Sequence, residues 1–449
     1  MRKLFGTDGI RAVAGEAPLD AATIFAVGLA LAHQFAQEHT SKRILLGMDT
    51  RESGPWIAAT LASGLRKGGV EVENAGIVTT PAIAYLTRQH GFAAGVVISA
   101  SHNPWQDNGI KIFGNNGYKL PDTIELAIEQ EIFRHREAQS NSTPYTTELP
   151  PVDPAYRLKY EEYLQNAVPG LSLEGLHVVL DCANGAASAI APELFARLGG
   201  KVTLTHFHPD GHNINQDCGA LHPTTVAAAT KAAGADIGIT FDGDADRVLF
   251  ADRHGKVVNG DGVLLLAARD LKTRGVLTGD VVIATTMSNM GLEAALRRDG
   301  IRMVRAAVGD KYVLERMRTE QAALGGEQSG HILFPALATT GDGLLTGLLL
   351  LSVIARSGRS LDELTADLKV FPQVIVNIRV REKQPLEEIA AVATAIHEAE
   401  NELAESGRVV VRYSGTEALA RVMIEAESEA LMQKHAEKIA QAIQTAIGI

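Results

Sequence analysis

A succession of strand, helix, and glycine followed by a second strand occurs three times along this chain, and it constrains the fold more than any other feature. The copies are 43–72 with a third strand at 96–98, 178–204 with a third strand at 237–239, and 281–304 followed by Gly325-Gly326-Glu327. Strands that alternate with helices favour mostly parallel sheets covered by helices on both faces. The sequence therefore predicts three similar α/β domains with mixed or parallel sheets.

The pattern changes beyond residue 370. Segments 374–380, 408–413 and 420–426 have the character of strands, and segments 386–405 and 429–447 have that of helices. Because strands and helices no longer alternate regularly, we expect a smaller α+β domain at the C-terminal end.

Three stretches mark the expected domain boundaries, at 140–154, 252–256 and 369–372. A chain of 449 residues exceeds what one hydrophobic core usually supports, which also favours several domains. The predicted domains are 1–152, 153–253, 254–369 and 370–449.

Charge and cysteine content restrict the class of protein. A formal net charge of −11 argues against general nucleic-acid binding. Cys182 and Cys218 are the two cysteines, too few for a disulfide framework, which favours a reducing cytoplasm. The apolar run 344–354 is too short to span a bilayer and indicates a buried helix, and no signal-peptide core follows Arg2 and Lys3.

The stretch 95–104 predicts a serine held between two strands. A short apolar run leads into Ser99-Ala100-Ser101-His102-Asn103-Pro104, and a second strand carrying Lys111 follows at 108–113. Ser101 therefore lies where a positioned nucleophile is expected, although a solvated turn serine is the alternative interpretation. A serine hydrolase is disfavoured, because no G-x-S-x-G pattern surrounds this serine.

Asp242, Asp244 and Asp246 alternate between two apolar runs and indicate a metal site. Three carboxylates in five residues repel one another unless a cation lies among them, and oxygen ligands suit Mg²⁺ or Ca²⁺. An EF-hand is excluded, because Arg247 stands at its glycine position and Arg253 at its glutamate position.

Three further loops carry groups suited to a phosphorylated sugar. Phe5–Arg11 is a glycine-bounded turn that ends in an arginine, and Gly326–His331 combines a carboxylate, an amide, a hydroxyl and an imidazole. Arg412–Glu417, followed by Arg421, offers hydroxyls, backbone N–H groups and guanidinium groups for an anion. This last loop is not a P-loop, since both Gly-Lys pairs of the chain are followed by valine.

A cluster of histidines and one cysteine raises the alternative of a zinc site. The spacings match no standard zinc motif, so hydrogen bonds within a loop are the preferred interpretation. The residues are His206, His208, His212, Cys218 and His222.

Taken together and in chain order, these loops resemble those of the α-D-phosphohexomutase superfamily, and the resemblance covers essentially the whole chain. Gln328, within the loop Gly326–His331, favours the amino-sugar branch of that superfamily. Tyr413 and Ala418 depart from the family pattern, which commonly has proline at these positions. The departures bear on the rigidity of the phosphate loop more than on its ligands.

The resemblance implies four domains around a central cleft and an enzyme that rests in a phosphorylated state. Ser101 would carry the phosphoryl group, and one Mg²⁺ ion per chain would bridge it to Asp242, Asp244 and Asp246. Charge stabilisation and proton transfer are the roles implied for Arg11, Lys111 and His331. Substrate binding is implied for Arg247, Glu327 and Ser329. The phosphate that is not being transferred would be bound by Arg412, Ser414, Gly415, Thr416 and Arg421.

The implied activity is interconversion of glucosamine 6-phosphate and glucosamine 1-phosphate through a 1,6-bisphosphate, which would supply amino-sugar nucleotide and cell-wall precursor synthesis. Glucose or mannose phosphates are the alternative substrates within the superfamily. Outside it, a Mg²⁺-dependent phosphatase would not need the Arg412 loop, and a non-catalytic sugar-phosphate sensor would tolerate loss of the serine. The expected partner is a small hexosamine phosphate. We expect no binding to nucleic acid or to a membrane, and a homodimer is left open.

Overall fold

The computed structural model describes residues 4–6, 8–38, 41–138, 148–414 and 418–449, with the backbone alone at 36–38 and 138. Their contacts divide the chain into two compact units, 1–286 with 304–365 and 287–303 with 366–449. Within the described residues, no helix is long and apolar enough to cross a membrane.

The N-terminal region of the first unit is a five-stranded mixed sheet flanked by helices. The sheet order is β1-β5-β4-β2-β3, with β2 parallel to β3 and β4, and β5 antiparallel to β4 and β1. The chain therefore reverses between β4 and β5, at the turn that holds Ser101. The elements are β1 (Ile10–Val13), α1 (Ala21–Glu38), β2 (Arg43–Met48), α2 (Gly54–Lys67), β3 (Glu71–Ile77), α3 (Thr80–Gln89), β4 (Ala94–Ile98), β5 (Asp107–Gly114) and α4 (Asp122–Ala138).

The second sheet repeats this topology with order β10-β9-β8-β6-β7. Strand β6 is parallel to β7 and β8, and β9 is antiparallel to β8, so the turn after β8 is equivalent to the turn after β4. The elements are α5 (Ala155–Ala167), β6 (His177–Asp181), α6 (Ala191–Arg197), β7 (Lys201–Thr205), α7 (Pro223–Ala233), β8 (Ile237–Phe241), β9 (Val248–Asp252) and β10 (Val257–Val258).

A third sheet has the order β12-β11-β13-β14 and contains two very short strands. Strand β13 is parallel to β11 and antiparallel to β14, so the loop 327–331 joins the two short strands. The elements are α8 (Gly260–Thr273), β11 (Val281–Thr285), α9 (Met290–Arg298), β12 (Arg302–Ala306), α10 (Asp310–Glu320), β13 (Gly325–Gly326), β14 (Ile332–Leu333), α11 (Gly343–Ser357) and α12 (Leu361–Leu364).

The second unit contains α9 and a three-stranded antiparallel sheet of order β15-β17-β16. Its core includes Val422 and Ile424 of the sheet and Ile439 and Ile443 of the last helix, all fully buried. Its remaining elements are β15 (Gln373–Arg379), α13 (Ala390–Leu403), β16 (Gly407–Tyr413), β17 (Leu419–Ala426) and α14 (Glu429–Ile447).

The predicted fold class, with three similar α/β regions and a smaller C-terminal α+β region, is confirmed. The predicted helix 386–405 is shorter, because Ile389 adopts extended backbone (φ −86°, ψ 98°) between a 3₁₀ turn at Leu386–Glu388 and α13. The four domain boundaries stay a prediction, and most of the first linker, 139–147, lies outside the described residues.

Candidate active site

Ser101 lies in the turn between β4 and β5, as predicted. The residue is 1% exposed, and its φ of 54° is in the left-handed region that non-glycine residues seldom occupy. Its backbone N–H donates to Oγ of Ser99 over 2.9 Å. The hydroxyl is therefore held on a short turn between two buried strands, which gives it a defined direction.

The Ser101 hydroxyl meets the predicted metal loop. Its Oγ donates a hydrogen bond to Oδ2 of Asp242 over 2.6 Å. Asp242, Asp244 and Asp246 are all buried, and one carboxylate oxygen of each lies within 4.8 Å of the others. Gly243 permits this approach, because a Cβ there would lie 2.5 Å from the carbonyl oxygen of Ser101. Residues from two separate sheets thus form one cluster.

The donor set of this cluster fits a hard divalent cation. Burial and the charges of the other two aspartates raise the pKa of Asp242 well above its usual range. The Oδ1 atoms of Asp244 and Asp246 are buried and accept no hydrogen bond from any described residue. Buried carboxylate oxygens without hydrogen-bond donors are suitable ligands for Mg²⁺, which also retains positions for a phosphoryl oxygen.

Lys111 provides positive charge within the cluster. Its Nζ lies 2.7 Å from Oδ2 of Asp244, 3.0 Å from Oδ2 of Asp8 and 3.5 Å from Oδ2 of Asp246. Burial lowers the pKa of Lys111, but the carboxylates around it outweigh burial and raise it. The ammonium group is therefore charged at neutral pH.

A second layer of ion pairs connects the N-terminal loop to α10. Asp8 pairs with Arg11, Lys111 and Lys119, and Nζ of Lys119 lies 2.6 Å from Oδ2 of Asp310. Burial would raise the pKa of Asp8, but the three cations lower it well below its usual range. Arg11 was predicted as a site residue, whereas Asp8, Lys119 and Asp310 were not. The one local signal was the position of Asp8 in the same glycine-bounded turn as Arg11.

His331 lies among the acidic residues of this site. Its Nδ1 is 3.7 Å from Oδ1 of Asp246, its Nε2 is 3.9 Å from Oδ2 of Asp310, and the N–H of Gly341 donates to Nε2 over 3.1 Å. Burial lowers the pKa of His331, but Asp246 and Asp310 raise it above its usual value. The imidazole is therefore suited to carry a proton near neutral pH.

His102, which was not assigned a role, contacts the serine directly. Its Nδ1 lies 3.2 Å from Oγ of Ser101. Burial and the charges of Arg247 and Arg11 lower the pKa of His102 to about 4. The ring is therefore neutral at pH 7 and acts as a hydrogen-bonding group.

The predicted substrate-binding residues occupy different environments. Glu327 is buried, and its Oε1 accepts the N–H of Gly309 over 3.0 Å, whereas Ser329 is exposed at the tip of the β13–β14 loop. Burial lowers the pKa of Arg247, but Asp246, Asp242 and Glu327 raise it. Gln328 donates from Nε2 to Asp261 over 3.1 Å, which anchors the loop to the start of α8.

The predicted phosphate-binding residues lie on β16 and β17 of the second unit. Arg412 and Arg421 are directly opposite each other in the antiparallel pair. Ser414 N–H donates to the carbonyl of Leu419 over 2.8 Å, and Lys383, which the sequence analysis missed, donates to the carbonyl of Ser414 over 2.6 Å. Gly415 and Thr416 lie outside the described residues. Two arginines opposite each other repel, which favours a bound anion.

The histidine–cysteine cluster is only partly assembled. Among the described residues, His206 and Cys218 come together with Asp181, whereas His208, His212 and His222 do not join that group. The carboxylate of Asp181 already accepts the N–H groups of Ala183 and Gly219 and the hydroxyl of Thr240. These hydrogen bonds tie the carboxylate to its own loop, and the preference for a loop held by hydrogen bonds over a zinc site stays a prediction.

Family comparisons cover nearly the whole chain. Four successive parts match the phosphoglucomutase/phosphomannomutase domains, namely alpha/beta/alpha domain I at residues 2–139, domain II at 159–255, domain III at 259–371 and the C-terminal domain at 375–442.

Curated relatives match over their full length. A phosphoglucosamine mutase of Koribacter versatilis is 60% identical, over 100% of this chain and 98% of the relative. A phosphoglucosamine mutase of Solibacter usitatus is 52% identical, over 100% and 99%.

Solved structures share the fold. A phosphoglucomutase/phosphomannomutase family protein of Burkholderia thailandensis matches with a TM-score of 0.78 at 24% identity, over 100% of both chains. An N-acetylphosphoglucosamine mutase of Aspergillus fumigatus, in complex with GlcNAc-6P and magnesium, matches with a TM-score of 0.61 at 19% identity, over 99% of this chain and 96% of that chain.

Proposed function

The chain belongs to the phosphoglucomutase/phosphomannomutase family, and from that premise we propose that it interconverts glucosamine 6-phosphate and glucosamine 1-phosphate. Relatives named phosphoglucosamine mutase, at 60% and 52% identity over the whole chain, support the amino sugar over glucose or mannose. The enzyme is an intramolecular phosphotransferase of the isomerase class.

One observation carries the proposal. The Ser101 hydroxyl lies 2.6 Å from Asp242, within a buried group of three aspartates that also contains the charged Lys111. A serine that accepts and returns a phosphoryl group needs positive charge to neutralise the oxygens of that group. This cluster contains oxygen ligands for a cation together with a fixed ammonium group, beside the Ser101 hydroxyl.

The reaction begins with phosphorylated Ser101. The free hydroxyl of the bound sugar phosphate attacks the phosphorus, so that a sugar O–P bond forms and the Oγ–P bond of Ser101 breaks. The sugar hydroxyl loses its proton to a neighbouring base, a role that His331 can fill, and Lys111 and Arg11 stabilise the charge on the phosphoryl oxygens. Asp242, Asp244 and Asp246 would hold one Mg²⁺ ion per chain, which when bound supplies further positive charge at the phosphoryl group.

The product of this first transfer is glucosamine 1,6-bisphosphate. After the intermediate turns over, Oγ of Ser101 loses its proton and attacks the other phosphoryl group. The Oγ–P bond forms again, the sugar O–P bond breaks, and the sugar oxygen takes up a proton as the second sugar phosphate leaves. Arg412, Ser414, Gly415, Thr416 and Arg421 would bind whichever phosphate is not being transferred, and Arg247, Glu327 and Ser329 would bind the sugar. Because both phosphates are used in turn, a two-site arrangement explains why the chain carries a second anion loop.

The decisive experiment is a coupled assay that compares catalytic efficiency on glucosamine, glucose and mannose 6-phosphates. We expect the highest kcat/KM on glucosamine 6-phosphate, and intact mass before and after phosphatase treatment should reveal one phosphoryl group. A preference for glucose or mannose phosphate would contradict the amino-sugar assignment. Release of inorganic phosphate at the rate of turnover would instead identify a phosphatase.

The remaining expectations stay predictions. They are a cytoplasmic location, a homodimer, one Mg²⁺ ion per chain, and the four domains 1–152, 153–253, 254–369 and 370–449. Gel filtration with light scattering tests the homodimer, and metal analysis of the purified enzyme tests the stoichiometry.

A further inference from the structure

We propose that Arg51, Asp49 and Ser99 are positioning residues that hold the backbone of the Ser101 turn in its reactive conformation. The inference rests on the proposed function, because it assigns a role to groups around the nucleophile of that reaction. None of the three side chains is among the residues that touch substrate or metal in the proposal.

Arg51 directs its whole guanidinium group at the Ser101 turn. Its side chain is fully buried, and its Nε donates to Oδ2 of Asp49 over 2.9 Å. The four remaining N–H groups reach backbone carbonyls of the turn and the start of β5. These are the carbonyls of Ser101 (3.0 Å), Asn103 (2.8 Å), Pro104 and Asp107 (2.9 Å).

The hydrogen bonds form a closed ring through the nucleophile. Asp49 accepts the Ser99 hydroxyl on Oδ2 over 2.7 Å, and Oγ of Ser99 accepts the N–H of Ser101 over 2.9 Å. The carbonyl of Ser101 then accepts from Arg51, which returns to Asp49. Both backbone polar groups of Ser101 are therefore fixed by side chains of one connected network.

The ring opposes the intrinsic preference of the backbone. Ser101 has a φ of 54°, which is unfavourable for a residue with a Cβ and persists only where surrounding groups determine it. If the turn relaxed toward negative φ, the Oγ atom would leave its position 2.6 Å from Asp242. The strained backbone and the direction of the nucleophile are thus two consequences of the same ring.

A guanidinium group suits this role better than any other side chain. Its N–H groups diverge in one plane and cannot be deprotonated in a protein, so five acceptors are held at fixed angles. A lysine offers three donors from a single atom, so it cannot reach all four backbone carbonyls and Asp49 at once. Asn215 reinforces the turn from a second direction, since its Nδ2 donates to the carbonyls of Ser101 (2.9 Å) and Asn103 (3.2 Å).

The test compares Arg51→Lys, Ser99→Ala and the double variant with the wild-type enzyme. We expect kcat to fall about 100-fold in Arg51→Lys and about 10-fold in Ser99→Ala, with KM within about twofold, because the nucleophile is misdirected while substrate ligands are intact. The double variant should be no slower than Arg51→Lys, because each change breaks the same ring.

Glu161→Gln is the matched control, since Glu161 is a buried carboxylate that pairs with Arg197 and has no bond to the serine turn. Its kcat should equal that of the wild type even if its melting temperature falls. A normal kcat in Ser99→Ala, a rise in KM alone, or additive losses in the double variant would overturn the inference. Ser99→Ala removes one oxygen atom and keeps the test valid if Arg51→Lys does not fold.

These outcomes are separate from failure of the proposed function. If wild-type enzyme does not convert glucosamine 6-phosphate, the proposed function fails. The positioning inference fails when the wild type is active and Ser99→Ala keeps a normal kcat, the variants change KM alone, or the losses of the two single variants add in the double variant.

Discussion

The serine–aspartate centre (Ser101, Lys111, Asp242, Asp244 and Asp246) and the β16–β17 arginine pair (Arg412 and Arg421) both bring like charges together. They compensate those charges differently. At the first, Lys111 lies 2.7 Å from Asp244 and all the participating side chains are buried. At the second, Arg412 stands opposite Arg421 across the strand pair, and Arg412 is exposed. A buried cluster with a fixed ammonium group suits one fixed transfer geometry, whereas an arginine pair with one exposed member suits a ligand that binds and leaves.

Replacing Ser101 by alanine tests the first half of this comparison most severely. We expect turnover to fall by more than about 10³-fold, because the variant lacks the hydroxyl that donates to Asp242. Thermal stability should change little, and Ser352→Ala in α11 is the control. The coupled assay and a thermal melt measure both effects, and wild-type turnover in Ser101→Ala would refute the nucleophile assignment.

Metal removal should have the next largest effect and should act on the serine–aspartate centre alone. Chelation is expected to lower turnover by about 100-fold or more, and added Mg²⁺ should restore it, because the three carboxylates then regain their cation. Asp244→Asn should show the same loss without recovery. Full turnover after exhaustive chelation, verified by metal analysis, would show that the aspartates do not need a metal.

Arginine removal probes the exposed site. Arg412→Ala and Arg421→Ala should each raise KM by about 10- to 100-fold with a smaller change in kcat, since each removes a charged ligand of phosphate. Their melting temperatures should change little, because Arg412 is exposed and Arg421 is only partly buried. Steady-state kinetics decide, with Arg297→Ala as an exposed control in the same unit. An unchanged KM in both variants would remove phosphate binding from this strand pair.

The smallest predicted effect is on stability and concerns Asp342, a buried carboxylate outside both sites. Its pKa shows the effect of burial where no other carboxylate lies close by. Burial raises the pKa of Asp342 to about 6, although the N–H of Leu345 and the hydroxyl of Tyr160 act in the opposite direction. Because the folded-state pKa lies above the ordinary 3.8, protonation stabilises the folded state. This contribution is fully present below about pH 4 and is lost as the pH rises through 6.

The measurement is the free energy of unfolding of wild type and Asp342→Asn between pH 4 and pH 8. The advantage of the wild type should fall by about 2 to 3 kcal/mol over that range and level off above pH 6. A difference in unfolding free energy between wild type and Asp342→Asn that does not change with pH would show that Asp342 has an ordinary pKa. Burial alone would then not be expected to control carboxylate pKa values at the serine–aspartate centre, where neighbouring carboxylates and cations also act.

Much of the fold and part of the site could be predicted from local patterns. Alternating strands and helices predicted the three sheets, and α14 begins and ends where its periodicity does. The loops at Ser101 and at Asp242–Asp246 were recognisable because a polar run follows an apolar strand. Their contact was inferred and is confirmed by the hydrogen bond between them.

The supporting residues could not be predicted, and the reason is the same for each. Arg51, Asp8 and Lys119 are charged residues, and an isolated charge in a sequence is usually solvent-exposed. Each is partnered by groups that fold against it from elsewhere in the chain, such as Asp310 for Lys119, 191 residues away. Local sequence contains no record of such a partner.

The sequence by itself determined the order of strands and helices, the positions of the candidate loops, and the presence of residue types suited to phosphoryl transfer. These follow from short-range periodicity and from the chemistry of side chains within a few positions. Tertiary structure alone decided which charges are buried and paired, how the Ser101 backbone is held at positive φ, and how the pKa values of Asp242 and His331 are shifted. Those properties depend on distance and desolvation, which exist only once segments far apart in the chain have packed together.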